Sequence, residues 1–259
     1  MNDTLDIRRD ARGIVSLTLN QPARRNALSS AMIDALTGFA ASANADPTIR
    51  AVVLRGAGAV FCAGGDLDWM MAQVQADRAT RIAAARRLAA VFQALNTLDA
   101  PLVAHVQGGA YGGALGLLAA CDVVLANPGA RFGFTETRLG IIPATIAPHV
   151  IARMGEGAAR QVFMSARIFD AAEAVRLGLV SRLVASDQAE AAIEAEVVPY
   201  LAVAPGAVAR AKRLARSLGA PITPERIEAS IAALADAWET DEAREGIAAF
   251  LEKRKPAWS

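Results

Sequence analysis

The fold is decided by one glycine-rich stretch, Gly108-Gly109-Ala110-Tyr111-Gly112-Gly113-Ala114-Leu115-Gly116-Leu117-Leu118-Ala119-Ala120-Cys121-Asp122. An apolar run at residues 102–106 leads into it, and a second at residues 123–126 follows it. This order predicts a strand, a glycine turn, a buried helix and another strand. The helix should begin near Gly112 or Gly113, where its first N–H groups lack partners within the helix and can face negative charge on a ligand. For a lone glycine cluster, the alternative is a tight turn that only allows close packing.

A second glycine loop has the same setting. It is Val60-Phe61-Cys62-Ala63-Gly64-Gly65-Asp66-Leu67, which follows an apolar strand at residues 51–54 and precedes a helical pattern. Two such loops can aim two backbone N–H groups at one point, which is the arrangement of an oxyanion hole. Neither loop continues into Gly-Lys-Ser/Thr, so the pattern is not that of a nucleotide-binding P-loop. The pair therefore favours chemistry at a carbonyl group.

Composition and charge exclude several classes of protein. The chain has 259 residues, 54% of them apolar, which suits one or two domains with a large core. Its 27 basic and 26 acidic residues give no electrostatic case for a nucleic-acid partner. Cys62 and Cys121 lie in apolar surroundings and are interpreted as thiols of a reducing compartment. Residues 1–10 are polar, and no apolar run reaches the roughly 20 residues of a membrane helix, so we expect a soluble, cytoplasmic protein with no membrane partner.

Strands that alternate with helices indicate an α/β fold with largely parallel pairing. Residues 14–19 alternate and are β-branched, which is typical of a strand, and Ser29 is placed to cap the helix that follows. Strand signals fade after about residue 165, where helices are expected. Thr223-Pro224 is a helix start, and the apolar stripe that follows it is interpreted as core or subunit interface. The stripe consists of Ile227, Ile231, Leu234 and Trp238.

Three blocks carry a family resemblance: residues 61–67, the glycine stretch, and Phe132-Gly133-Phe134-Thr135-Glu136. With this spacing, the chain from about residue 20 to residue 255 resembles the enoyl-CoA hydratase/isomerase (crotonase) superfamily. In motif it is most similar to the methylglutaconyl-CoA hydratase-like branch. The resemblance implies a crotonase-like ββα spiral core at residues 1–195. It also implies a helical C-terminal region at residues 196–259, which would cover CoA and form a homotrimer or homohexamer.

The resemblance also implies the catalytic groups. The N–H groups of Gly65 and Gly113 would polarise the carbonyl of an acyl-CoA thioester, and Glu136 would give and take protons. Apolar neighbours would raise the pKa of Glu136 towards neutrality, as suits that task. On the residues alone, an ion pair of Glu136 with Arg131 or Arg138 remains the alternative.

The remaining implied site residues bind the substrate. Arg24 and Arg25 would contact CoA phosphates, although paired arginines are also common in solvated loops. The set implied to bind CoA and the acyl group is Arg24, Arg25, Ala27, Ala63, Asp66, Leu67, Phe250 and Lys253. CoA is part of the substrate, and no separate cofactor is expected. No metal motif surrounds His105 or His149, which are interpreted as structural.

Two positions depart from the family. Gly116 stands where typical enoyl-CoA hydratases have a second glutamate, and Ala144 stands where dienoyl-CoA isomerases have an aspartate. Single-glutamate chemistry remains: hydration of a 2-enoyl-CoA, with a branched, methylglutaconyl-like acyl group, or Δ3,Δ2-enoyl-CoA isomerisation. The absent side chain of Gly116 is expected to leave space for a branched substrate. A binding protein with a decayed site is the non-enzymatic alternative.

Overall fold

The computed structural model of the protein describes residues 4–259. Its strands form two sheets, with the spatial orders β1-β2-β3-β5-β7-β10 and β4-β6-β8-β9. Pairing is parallel throughout except between β1 and β2 and between β8 and β9. The strands are β1 (Leu5–Arg9), β2 (Ile14–Leu19), β3 (Ala51–Gly56), β4 (Val60–Cys62), β5 (Leu102–Val106), β6 (Gly109–Tyr111), β7 (Val123–Ala126), β8 (Arg131–Gly133), β9 (Phe169–Asp170) and β10 (Arg182–Leu183). The α/β fold predicted from the alternating pattern is confirmed.

Helices cover both sheets and make up most of the C-terminal third. They are α1 (Ser30–Ala45), α2 (Leu67–Gln75), α3 (Arg78–Asn96), α4 (Gly113–Ala119), α5 (Ala147–Met154), α6 (Glu156–Phe163), α7 (Ala171–Arg176), α8 (Ala189–Leu201), α9 (Pro205–Leu218), α10 (Pro224–Trp238) and α11 (Asp241–Leu251). The side chains of Ser29, Asp66, Asp77 and Thr223 accept N–H groups in the first turns of α1, α2, α3 and α10. Each such cap is worth about 1 kcal/mol.

The main core lies between the sheets and helices α1, α3 and α4. Its fully buried aromatic side chains are Phe61, Phe92, Phe132 and Phe134. A second cluster joins α3, α10 and α11 to the segment after Glu136, and it includes Ile141 and Ala144. A third lies where α8 covers the strands β3 and β5. The second cluster matters for function because it fixes the segment that carries the candidate carboxylate.

The sequence did not predict the shortest strands. The strands expected at residues 14–19, 51–54, 102–106 and 123–125 are present. However, Gly109–Tyr111 forms β6 where a turn was expected, and β9 and β10 lie beyond residue 165. Strands of two or three residues carry too few side chains to show an alternating pattern. The second sheet consists only of such strands.

The apolar stripe of α10 is core within one chain. Ile231, Leu234 and Trp238 are buried against α3 and α11, and Ile227 packs against the same cluster, so of the two interpretations, core or subunit interface, the structure shows core. The division expected between residues 195 and 196 falls within α8 and remains a prediction.

No single helix among residues 4–259 is long and apolar enough to cross a membrane; only the joined segments Ser186–Leu201 and Pro205–Leu218, bent by 105°, reach that length and composition. The expectation that residues 1–10 form no signal peptide concerns a segment whose first three residues lie outside the described residues.

Candidate active site

The two glycine loops lie against each other. A β-carbon on Gly64 would come within 2.5 Å of the carbonyl oxygen of Tyr111 and within 3.4 Å of the amide nitrogen of Gly113. Gly64 and Gly112 have φ angles of +88° and +51°, which L-residues with side chains rarely adopt. Glycine is therefore required at both positions by close approach and by backbone conformation together. The sequence prediction that the loops converge agrees with this packing.

The amides of Gly65 and Gly113 have no acceptor within the described part of the chain. Leu28 bridges the first loop, since its N–H donates to Gly64 at 2.8 Å and its carbonyl accepts from Asp66 at 3.4 Å. This leaves the N–H of Gly65 directed away from the bridge. Gly113 is the first residue of α4, where a helical N–H has no partner within the helix. Both groups are available to an oxygen atom of a ligand.

Glu136 lies against Gly112, the residue directly before the amide of Gly113. It begins the 3-10 turn Glu136–Leu139, which follows β8, and its Oε1 is 3.2 Å from where a β-carbon on Gly112 would stand. Its Oε2 is buried without a hydrogen-bond partner among residues 4–259. Burial raises the pKa of Glu136 to about 7, although the N–H groups of Glu136 and Thr135 act in the opposite direction. An acid with this pKa exchanges protons readily at neutral pH.

The ion pair considered for Glu136 is absent from the described residues. Arg131 is exposed, and its guanidinium donates to the carbonyl of Ala130. Arg138 is also exposed, and its backbone N–H donates to the carbonyl of Thr135. Neither guanidinium lies within ion-pair distance of Glu136, so the structural alternative drawn from the sequence is wrong.

Helix α11 holds the Glu136 turn from behind. A β-carbon on Gly246 of α11 would come within 2.5 Å of the carbonyl carbon of Leu139, and one on Gly140 would overlap the carbonyl of Glu242. The two backbones therefore touch directly, and Gly140 has a φ of +68°. Sequence reasoning placed the glycine loops correctly but gave no signal for this support, because Gly246 lies within an ordinary helical pattern.

The residues implied to bind CoA surround the first loop. Arg24 donates to Asp66 at 2.7 Å and to Asp68 at 2.6 Å, so it is paired rather than free in a solvated loop. Asp66 is 3% exposed and also caps α2. Arg25 is exposed and adopts a φ of +52°, and Ala27 is buried beside the loop. The others lie at the rim: Ala63 is half-buried, Leu67 is exposed, and Phe250 and Lys253 are exposed at the end of α11.

Asn26 is a residue that sequence reasoning missed. Its side-chain nitrogen donates to the carbonyls of Ala57, Val60 and Phe61, and its Oδ1 accepts the N–H of Gln21. It is completely buried, with a φ of +54°. The amide thereby fixes the approach to Gly64 and Gly65. An asparagine after a proline-containing turn was the available signal, since this residue tolerates left-handed backbone.

The expected space at Gly116 is filled. A β-carbon there would lie 2.8 Å from Cε1 of Phe92 and closer still to Cγ2 of Ile146. The expectation that the missing side chain leaves room for a branched substrate is therefore wrong, because side chains of the core occupy that volume. Ala144, the other position that departs from the family, is 5% exposed within the second cluster.

The isolated histidines and cysteines lie apart from this chemistry. His105 bonds Asn127 at 2.9 Å, and His149 bonds Gln93 at 3.1 Å, as their structural interpretation predicted. Burial raises the pKa of Cys62 and of Cys121 to about 12, so neither is a reactive thiol at neutral pH. Within residues 4–259, no group of three His, Cys, Asp or Glu side chains could hold a metal ion.

The fold has close counterparts among known proteins. The family model described as "Enoyl-CoA hydratase/isomerase" matches residues 9–259. A crystal structure of an enoyl-CoA hydratase from Mycobacterium avium is 33% identical, covers 100% of both chains and has a TM-score of 0.86. One from Mycobacterium smegmatis is 35% identical over 98% of both chains, with a TM-score of 0.80. The 2,3-dehydroadipyl-CoA hydratase of Escherichia coli K12 is 35% identical over 250 residues, or 94% of each chain.

The architecture is thus that of the crotonase superfamily, with its helical C-terminal region. The chain belongs to the enoyl-CoA hydratase/isomerase family, and its class is that of enzymes acting on acyl-CoA thioesters.

Proposed function

We propose that the protein hydrates a 2-enoyl-CoA thioester through an enolate that the N–H groups of Gly65 and Gly113 stabilise. One observation carries this proposal: a buried, unpaired Glu136 carboxyl lies beside Gly112, directly before the free amide of Gly113. Negative charge that develops on the thioester oxygen would be met by two fixed N–H dipoles. Such preorganised donors are typically worth about 100-fold or more in rate each.

Glu136 would supply the proton chemistry alone. Its protonated carboxyl gives a proton to the α-carbon while a water oxygen bonds to the β-carbon. That water then returns a proton to the carboxylate, which restores the acid and completes the addition of one water. A pKa of about 7 suits both directions of transfer. No separate cofactor enters this scheme, because CoA belongs to the substrate.

We propose that the CoA moiety contacts the first glycine loop. Arg24 and Arg25 would contact CoA phosphates, with Ala27, Ala63, Asp66 and Leu67 around the nucleotide. Arg24 would have to share its guanidinium between phosphate and Asp66, which its remaining N–H groups allow. Phe250 and Lys253 are exposed, as is expected of a clamp that a neighbouring subunit completes.

For the acyl group, we propose a branched or carboxylated chain of the methylglutaconyl kind. The support is the motif resemblance at residues 66–70, 113–117 and 134–148, together with a 35%-identical relative named for a dehydroadipyl thioester, itself a carboxylated chain. Space at Gly116 gives no support, since Ile146 and Phe92 fill it.

Δ3,Δ2-enoyl-CoA isomerisation is the second candidate, and a specific observation favours it. Isomerisation needs one base that removes a proton and returns it at another carbon, and the Glu136 carboxylate lies against Gly112 with one oxygen unpartnered. The same enolate would be stabilised in both reactions.

A panel of enoyl-CoA thioesters with product masses separates the candidates. The panel contains crotonyl-CoA, 3-methylglutaconyl-CoA and a 3-hexenoyl-CoA. Hydration adds the mass of one water to either of the first two, whereas isomerisation moves the double bond of the third without changing the mass. Tight binding of all three without any product would instead indicate a non-catalytic acyl-CoA binding protein and overturn the proposal.

A further inference from the structure

We propose that the cavity between the C-terminal ends of α3 and α9 binds a small phosphate monoester, and that His149 and Arg216 recognise its phosphate group. The site is separate from the candidate active site, and it does not depend on the proposed function. Two features carry the inference, and both lie in the wall of the same cavity. One is a buried imidazole nitrogen without a partner, and the other is an arginine side chain that bonds no other residue.

The cavity has the size of a site for a small organic ligand. Its volume is about 720 Å³. The end of α3, helix α5, the last turns of α9 and the segment 219–223 before α10 meet there. Ala119, the last residue of α4, lies in the wall, whereas Gly113 and Glu136 do not. Helix α4 has seven residues, so the cavity and the amide of Gly113 lie at opposite ends of a helix about 10 Å long.

The charged side chains in the wall are three arginines and one carboxylate. The carboxylate, Asp99, is paired with Arg213. Arg153 donates through Nε to the carbonyl of Leu179 and through Nη1 to the carbonyl of Cys121. Among the described residues, the wall therefore contains no unpaired carboxylate that would repel an anion.

Arg216 is the cation that remains for a ligand. Its half-buried side chain makes no hydrogen bond and no ion pair with residues 4–259. Its charge acts on the ring of His149, which agrees with their places in one wall. A guanidinium presents five N–H donors in a planar fork, and two of them can bond two oxygens of one phosphate group.

His149 gives an independent sign of a polar occupant. The residue is 1% exposed and lies in the cavity wall, whereas Gln93 does not. Its Nε2 is 3.1 Å from Oε1 of Gln93, and its ring packs edge-on against Phe92 with the ring centroids 6.1 Å apart. These contacts leave Nδ1 buried without a hydrogen-bond partner in the described chain. Because Oε1 of Gln93 is an acceptor, Nε2 carries the ring proton, and Nδ1 needs a donor from outside the chain.

The two groups together define the chemistry of the occupant. Burial, and after it the charge of Arg216, lowers the pKa of His149 to about 4, so the imidazole is neutral at neutral pH. A neutral imidazole does not attract an anion by charge, but Nδ1 accepts a hydrogen bond from an O–H group. Arg216 supplies the positive charge. The occupant must therefore offer a negative charge and an O–H donor within one small group.

A phosphate monoester meets both requirements. Its second pKa is about 6, so near neutrality it exists with and without its last proton. That proton can lie between a phosphate oxygen and Nδ1 of His149, while two other oxygens accept from Arg216. A carboxylate has lost its proton at this pH, and sulfate has none to donate. The organic part of the ester would contact the apolar side of the wall, which is formed by Ala152, Ala215, Ala220, Pro221 and Ile222.

Isothermal titration at neutral pH tests the site with inorganic phosphate, glycerol phosphate and sulfate as probes. Wild type is expected to bind both phosphates more tightly than sulfate, because sulfate lacks the donor for Nδ1. Arg216→Gln should weaken phosphate binding by about 10- to 100-fold, as the loss of hydrogen bonds to a charged group predicts. Arg210→Gln is the matched control. It removes an exposed arginine of the same helix that lies outside the cavity, and it should bind like wild type.

His149→Gln isolates the role of Nδ1. The new amide can still donate to Gln93 but leaves no acceptor at the position of Nδ1. Its affinity for phosphate should fall to that for sulfate, whereas its affinity for sulfate should stay as in wild type. The chain has two histidines, so NMR of wild type with labelled histidine gives a readout that needs no variant to fold. Phosphate should shift the ring signals of His149 and leave those of His105 in place.

Three results would overturn the inference. One is a wild type that binds neither phosphate probe, and another is a wild type that binds phosphate and sulfate equally. The third is phosphate binding that Arg216→Gln keeps and the double variant Arg24→Gln with Arg25→Gln loses, because phosphate would then occupy the site proposed for CoA. Failure of wild type to turn over any enoyl-CoA would refute the proposed function and leave this test unchanged.

Discussion

The Oε1 atom of Glu136 lies 3.2 Å from the point where a β-carbon on Gly112 would stand, so the carboxylate rests against the bare backbone that leads into Gly113. Two elements far apart in sequence thereby share one small volume. The acid comes from the turn after β8, and the amide from the start of α4. Gly112 also has a φ of +51°, which makes a side chain there unfavourable twice over.

Glu136→Gln is expected to lower kcat by about 100-fold or more, since the amide has the same shape but cannot exchange the proton. Binding of CoA should change little, because no residue proposed to contact CoA bonds Glu136. Steady-state kinetics and isothermal titration with CoA measure the two quantities. Turnover close to that of wild type would remove Glu136 from the mechanism.

The direction of the pH dependence distinguishes hydration from isomerisation. Burial raises the pKa of Glu136 to about 7. Hydration starts from the protonated acid, so kcat/KM should be high below pH 7 and fall as the pH rises through about 7. Isomerisation starts from the carboxylate, and its kcat/KM should rise over the same interval. A profile of kcat/KM from pH 5 to pH 9 shows whether the rate falls or rises with pH. The spontaneous hydrolysis of the thioester is measured at each pH as a control.

Glu136 should also cost stability at alkaline pH. The pKa of its carboxyl is about 7 in the folded protein and 4.5 for an unburied glutamate, so the folded state binds more protons between these limits. The contribution of protonated Glu136 to the free energy of unfolding is therefore fully present below about pH 4.5 and is lost as the pH rises through 7. At pH 8 the charged carboxylate costs about 3 kcal/mol at most.

Glu136→Gln removes that cost and should be more stable than wild type at pH 8, with a smaller difference near pH 5. Urea denaturation at both values measures the two differences. A gain that is the same at both pH values would point to packing rather than to ionisation.

The assembly implied by the resemblance, a homotrimer or homohexamer, remains a prediction. With the α10 stripe buried inside one chain, other exposed apolar side chains become candidates for the interface, and two of the most exposed lie on α9, where Leu214 is 60% and Leu218 is 80% exposed. Four residues apart, they share one helix face. Multi-angle light scattering of wild type should give a trimeric or hexameric mass, and Leu214→Ser with Leu218→Ser should reduce it. A monomeric wild type at micromolar concentration contradicts the assembly.

Sequence reasoning located the two glycine loops because glycine reports backbone constraint directly, whereas the catalytic roles of Gly65, Gly113 and Glu136 came from the resemblance and remain a prediction. Gly65, Gly113 and Glu136 were named from three blocks, and the structure brings Gly113 and Glu136 together around Gly112. Asn26 was missed as a functional candidate. Its role depends on which backbone carbonyls lie beside it after folding, and neither periodicity nor composition encodes that. The space expected at Gly116 failed for the same reason, since Ile146 fills it from thirty residues away.

Gly116 gives a last prediction, which reverses the expectation drawn from the sequence. Helix propensity favours Gly116→Ala by about 1 kcal/mol. Against this, the new methyl group would press on Phe92 and Ile146, both almost completely buried, and overpacking of this kind typically costs about 1–3 kcal/mol. We expect Gly116→Ala to be destabilised, and Gly116→Glu more so, before any second carboxylate can act.

Truncation of the neighbour supplies the matched test. Ile146→Ala alone creates a cavity and should be destabilising, whereas Gly116→Ala combined with Ile146→Ala should be more stable than the sum of the two single changes predicts, because the added methyl group refills part of that cavity. Urea denaturation of the four proteins measures this coupling. If the two changes are simply additive, Ile146 does not occupy the volume that the missing glutamate vacated, and space at Gly116 again becomes available for a substrate branch. If they couple as expected, the comparison of Gly116→Glu on crotonyl-CoA is to be made in the Ile146→Ala background, where the second carboxylate has room.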